Sequence, residues 1–145
     1  NYLSQFGSVG MDAGQFDEPV GLAINSLGQV VVADTWNQRV QVFTPDASGL
    51  YYYPTSSWEI SGWFSQSLEN KPFLALDSSG NVYISDPEGI RVLVFDPQGI
   101  FLYGWGDYNL DVEGFSLPIG LAVDADGGVW VSDAGANRVV YFRLP

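Results

Sequence analysis

Apolar residues recur along the chain in short runs, broken by Gly, Asp, Asn and Pro. β-branched residues dominate the runs and none has the spacing of an amphipathic helix, so the pattern predicts strands. Three stretches share one frame. Residues 19–43 read PVGLAINSLGQVVVADTWNQRVQVF, and residues 118–142 read PIGLAVDADGGVWVSDAGANRVVYF. Shifted by 99 positions, these match at Pro, Gly, Leu, Ala, Gly, Val, Val, Asp, Arg, Val and Phe. Residues 72–95, PFLALDSSGNVYISDPEGIRVLVF, fit the same frame with one residue missing near the start. Fixed landmarks recur: Asp34, Asp86 and Asp133, then Arg39, Arg91 and Arg138, then Phe43, Phe95 and Phe142.

Each repeat parses into strands. The first is GLAIN, LALD or GLAVD, followed by a turn with Gly28, Gly80 or Gly127 where positive φ is needed. The second is QVVVAD, NVYISD or GVWVSD, and the third RVQVF, RVLVF or RVVYF. Second and third strands are nearly continuous in apolar residues, which predicts sheets covered on both faces. The Asp landmarks stand 52 and 47 residues apart. Small antiparallel sheets repeated at that period predict an all-β propeller. A more aromatic fourth strand is expected after repeat two at residues 99–106, and after repeat one at residues 58–64, beyond an insertion, SGLYYYPTSS. Repeat three reaches Arg143-Leu144-Pro145 with no such strand, whereas Tyr2-Leu3-Ser4-Gln5-Phe6-Gly7 has its character. The expected layout is therefore a closing fourth strand and loop at 1–18, then blades at 19–66, 67–106 and 107–145.

The pattern Pro-x-Gly-Leu-Ala-Val-Asp, Gly-x-Val-x-Val-x-Asp, Asn-x-Arg-Val-x-x-Phe resembles the NHL repeat family. The resemblance covers almost the whole chain. It departs at the family's His, replaced by Gln38 and Asn137. It implies four-stranded antiparallel blades, three in this chain, in a ring of typically six. A two-fold homodimer, each first strand completing the partner's third blade, would supply six. The competing expectation is that the chain is half of a longer natural propeller, and Asn1 reads as a cut site.

Charge narrows the function. The chain has 145 residues, 17 acidic against five basic, and a net charge of −12. Such a chain repels phosphate at long range, which argues against nucleic acid and against anionic membrane surfaces. No apolar run is long enough to span a bilayer. There is no Cys and no His, which removes thiolate metal sites, the commonest general base and the commonest zinc ligand. No cofactor is expected.

The landmark Asp and Arg residues read as structural: a carboxylate ending the second strand accepts bonds from the following turn, and the Arg braces it. Asp124-Ala125-Asp126-Gly127 reads as a turn rather than a calcium loop. Three features exceed what the fold needs. They are Trp36 beside Asn37, the tract Tyr51-Tyr52-Tyr53-Pro54, and the acidic loop from Asp107 to Glu113. In propellers of the resembled kind, Trp36, Asn37, Glu88, Tyr108 and Asn109 would share one loop face. The expected function is a non-catalytic interaction module binding a protein, peptide or glycan on that face, or an oligomerising appendage of a larger protein. An extracellular or bacterial cell-surface setting fits. The alternative is a calcium-dependent lactonase-like or lyase-like hydrolytic propeller, with Glu18, Asn70 or Glu113 facing the channel.

Overall fold

The computed structural model describes residues 1–63, 71–108, 111 and 114–143. The first sheet has the order β1 (Pro19–Ile24), β2 (Val30–Asp34), β3 (Arg39–Pro45), β4 (Tyr52–Glu59). The second has β5 (Leu74–Leu76), β6 (Val82–Asp86), β7 (Arg91–Phe95) and β8 (Phe101–Trp105), in that order. The third contains β9 (Pro118–Val123), β10 (Gly128–Asp133) and β11 (Arg138–Arg143), with β11 at its edge and no fourth strand among the described residues. All pairings within the sheets are antiparallel. The sole helical element among the described residues is a 3-10 turn, Ala134–Ala136.

The sheets stack as blades. β1 packs near β5, and β5 near β9, so the first strands lie innermost. Gly21 makes the inner approach possible: a Cβ there would lie 3.0 Å from the Cα of Phe73. One core joins the first two blades through Val31, Val40 and Val42 on one side and Leu74, Val82, Ile84 and Phe95 on the other. A second joins the next pair through Tyr83, Val92 and Val94 against Phe115, Val129 and Val131. Every residue of β2 and β6 is buried, as expected for strands covered on both faces.

Fourth-strand aromatics tie each blade to the next. Trp58 pairs in register with Val40 and lies 6.0 Å from the ring of Phe95 in the second blade. Trp105 pairs with Val92 and lies 5.5 Å from Phe142 in the third. Phe6 makes the same crossing to Phe43 of the first blade, at 4.8 Å, although residues 1–7 pair with no strand. The likeness extends further. Val9 forms a parallel bridge to Phe16, as Tyr108 does to Phe115. Gly7 and Gly106 both take positive φ beneath those phenyl rings. Residues 2–7 thus occupy the place of a preceding blade's fourth strand.

The insertion in the first repeat departs from expectation. Tyr52, Tyr53 and Pro54 lie within β4, which begins well before the expected residue 58. Pro54 is accommodated because it faces Phe43 at a shift of register, on an edge strand that is mostly exposed.

Candidate functional site

At one end of each sheet, the loop after the second strand meets the loop that enters the first. A buried carboxylate joins them. Asp34 Oδ2 accepts from Arg39 Nε at 2.7 Å and Gln41 Nε2 at 3.0 Å, while Oδ1 accepts from the Asp17 amide at 2.8 Å. Arg39 then donates to the carbonyls of Met11, Asp12 and Gln15. Asp133 accepts from Arg138 and from the Ser116 and Leu117 amides, and Arg138 reaches the carbonyls of Asp111 and Gly114. Asp86 accepts from Arg91 and Gly89 N–H, and Arg91 reaches the Ser61 carbonyl. The residue before each Arg, namely Gln38, Ile90 or Asn137, is left-handed, which turns the chain into the third strand. The landmark pairs are latches between loops: each guanidinium bonds a buried aspartate and at least one loop carbonyl, while the Arg91 side chain stays 37% exposed.

On this scaffold sits Trp36. Its indole Nε1 donates to Glu18 Oε2 at 2.6 Å, and Lys71 Nζ donates to the same oxygen at 2.5 Å. The Lys71 ammonium, and then the Trp36 indole, hold the exposed Glu18 carboxyl below its usual range. Glu18 and Lys71 each directly precede the proline that begins an inner repeat strand, Pro19 or Pro72. Glu18 itself is left-handed at φ 48°, an uncommon conformation before proline. The pairing of a repeat-equivalent Glu and Lys is the part of the site that sequence reasoning missed. Their shared place before Pro19 and Pro72 was the available signal.

Of the expected face residues, Trp36 and Asn37 are half-buried, while Glu88 and Tyr108 are exposed. Asn37 is committed to the scaffold: its Nδ2 donates to Asp34 and to the Gly10 carbonyl. Glu88, in the β6–β7 turn, and Tyr108, after β8, stand on loops at the same end of their sheets as Trp36. No hydrogen bond or ring contact among the described residues joins either to Trp36. Asn109 lies outside the described residues, as do Asn70 and Glu113. Glu18 carries the Lys71 ammonium, which opposes a cation at that carboxylate.

The opposite end holds a concavity of about 620 Å³ between the hairpin turns at Asn25, Asp77 and Asp124. Its polar groups are occupied locally. The Asp124 carboxylate accepts from the Asp126 and Gly128 amides and from the Trp130 indole, which lowers its pKa. Asp77 accepts from the amides of Ser79 and Asn81, and Asn25 from those of Leu27 and Gln29. Asp124 is therefore part of a turn, as its sequence implies.

Repeated antiparallel sheets, stacked about their first strands and latched at one end by Asp–Arg pairs, define a β-propeller architecture. The chain belongs to the NHL-repeat family, whose NHL repeat profile matches residues 16–43 and 115–142. It is similar to protein brain tumor of Drosophila melanogaster, with 29% identity over 142 residues covering 97% of this chain and 13% of that protein. It is also similar to the B-box type zinc finger protein ncl-1 of Caenorhabditis elegans, with 31% identity over 144 residues covering 99% of this chain and 16% of that protein. The chain thus spans a small part of these relatives. Among solved structures, a streptogramin B lyase superposes with a TM-score of 0.62 at 17% identity, covering 99% of this chain and 45% of that one. A gluconolactonase from Xanthomonas campestris gives 0.61 at 19% identity, covering 92% and 40%. At such identities the likeness is one of fold, and fold does not carry activity.

Proposed function

We propose that the chain is a non-catalytic recognition module whose loop face binds a basic segment of a protein partner. The observation that supports this most is the asymmetry of the face. It carries a half-buried indole at Trp36 and exposed groups at Glu88 and Tyr108, beside a Glu18 already paired to Lys71. The landmark arginines, in contrast, bond to buried aspartates and loop carbonyls, and Lys71 is held by Glu18. Trp36 and the exposed Glu88 stand on corresponding loops of neighbouring blades, and a Lys or Arg side chain gains a cation–π contact at an indole and an ion pair at a carboxylate. A net charge of −12 adds long-range attraction for a cationic partner.

Tryptophan fluorescence titrated with Lys/Arg-rich peptides, acidic peptides, neutral oligosaccharides and RNA tests this reading. Basic peptides should bind, more weakly as salt rises, and Trp36→Ala and Glu88→Gln should each weaken them about tenfold, or roughly 1.4 kcal/mol. Binding of oligosaccharide or RNA in preference to basic peptide would overturn the reading, as would peptide binding indifferent to both substitutions.

A further inference from the structure

The cluster of Glu18, Trp36 and Lys71 exceeds what the blade latches need. It spans the junction of the first two blades: Glu18 and Trp36 flank strands of the first, and Lys71 leads into the second. The third blade has Leu117 and Gly135 at the positions of Glu18 and Trp36, and neither can form such a contact. The second blade has Lys71 and Glu88 there, a pair of opposite charge. Lys71 nevertheless bonds Glu18 of the preceding blade, and Glu88 has no partner among the described residues. The one lysine of the chain is thus set beside the indole of the loop face.

One oxygen of Glu18 is filled and the other is open. Oε2 accepts from Lys71 Nζ at 2.5 Å and from Trp36 Nε1 at 2.6 Å, whereas Oε1 accepts from none of the described residues. The Lys71 side chain is 15% exposed and that of Glu18 41%, so the carboxylate is the more accessible member of the pair. Its charge is cancelled where it stands. A cation approaching Trp36 meets a carboxylate and an ammonium at nearly one distance, and their fields oppose each other. The backbone holds the carboxylate in place: Glu18 takes φ 48° directly before Pro19.

We infer that Lys71 is an internal competitor for the cation position beside Trp36, and that a basic segment binds by displacing it from Glu18. This rests on the recognition of a basic segment proposed above, and it names what holds that site closed. The exchange is close to balanced, because one exposed ion pair replaces another and such pairs contribute little net stability. Displacement therefore needs no large rearrangement of the blades. Without the ammonium, Glu18 becomes a second free carboxylate of the face, next to the indole, in addition to Glu88.

Titration with an N-acetylated, Arg-rich peptide lacking lysine tests the competition. Lys71→Met should bind the peptide about fivefold more tightly than the wild type. Arg143→Gln removes the same charge at the opposite end of the third sheet, where Arg143 faces Gly128, and should change affinity by less than about twofold. Adding Glu18→Gln to Lys71→Met should return the affinity to about the wild-type value, since the gain comes through the freed carboxylate. The unsubstituted chain gives a second readout through its sole lysine. Acetylation of Lys71 by an amine reagent, followed by mass spectrometry, should run faster at saturating peptide. Equal binding by Lys71→Met and wild type, an equal gain from Arg143→Gln, or Lys71 acetylation that peptide leaves unchanged or slows would overturn the competition and leave recognition standing. No binding by either the wild type or Lys71→Met would overturn both.

Discussion

The ring of Phe6 lies 4.8 Å from that of Phe43, tilted by 41°, with Phe16 another 5.2 Å beyond Phe43. This trio repeats Trp105, Phe142 and Phe115 at the junction of the second and third blades. Among the described residues this segment has no strand partner and is held by ring packing, so its anchor should matter. Phe6→Ala is expected to cost about 2 kcal/mol, less than the 3–5 of a fully buried Phe, because Phe6 is half-buried. Urea unfolding checks the value, and proteolysis should cut residues 1–7 faster in the variant.

Asp34 carries more of the fold than its repeat position suggests. It is fully buried and takes hydrogen bonds from Arg39, Gln41, Asn37 and the Asp17 amide. Asp34→Ala strands those donors, and the cost expected for breaking such a buried pair is about 3–5 kcal/mol. Asp46→Ala, at an exposed turn where the carboxylate accepts from Ser48, should change stability far less. Denaturant midpoints of the two variants compare them directly.

Gly106 and Gly7 occupy equivalent places with different tolerance. A Cβ on Gly106, at φ 108°, would meet the Phe115 ring at 2.6 Å and the Ile90 carbonyl oxygen at 2.9 Å. Phe115 is fully buried and backbone cannot yield, so Gly106→Ala should cost about 2 kcal/mol or more. At Gly7 the contacts under 3.0 Å are to the half-buried Phe16 ring, which can turn aside. Gly7→Ala should therefore be the milder of the two in thermal unfolding.

The Glu18 cluster predicts a pH response in acid. Lys71 and Trp36 favour the carboxylate, so its folded pKa lies below the reference value of 4.5. The stabilisation is present above the unfolded pKa and is lost as pH falls through the folded one. Protonation removes the acceptor from the indole. Trp36 fluorescence or its indole N–H resonance should titrate with a midpoint below 4.5, and Glu18→Gln should abolish that titration. A midpoint above 4.5 in the wild type would contradict the pairing.

The blades were legible in the sequence because both faces of β2, β3, β6 and β7 are covered, leaving unbroken apolar runs between fixed Asp and Arg residues. The structural role of Asp34, Asp86 and Asp133 followed from their place at strand ends, but the turn that follows supplies an amide at Asp86 alone, whereas Asp34 and Asp133 accept amides from the loop entering the first strand. The extent of β4 was not legible: Gly49, Pro54 and the serines around it have the composition of a loop, and an exposed edge strand needs no apolar alternation. The Glu18–Lys71 contact was hidden for another reason. It forms between residues 53 positions apart in sequence, joined only when the inner strands of two blades are set side by side.

Recognition of a cationic segment on the loop face is tested most directly by calorimetric titration of the chain with a Lys/Arg-rich peptide. The predicted result is saturable binding that weakens as salt rises and falls about tenfold in Trp36→Ala. Absence of binding, or binding unchanged by Trp36→Ala, would contradict it.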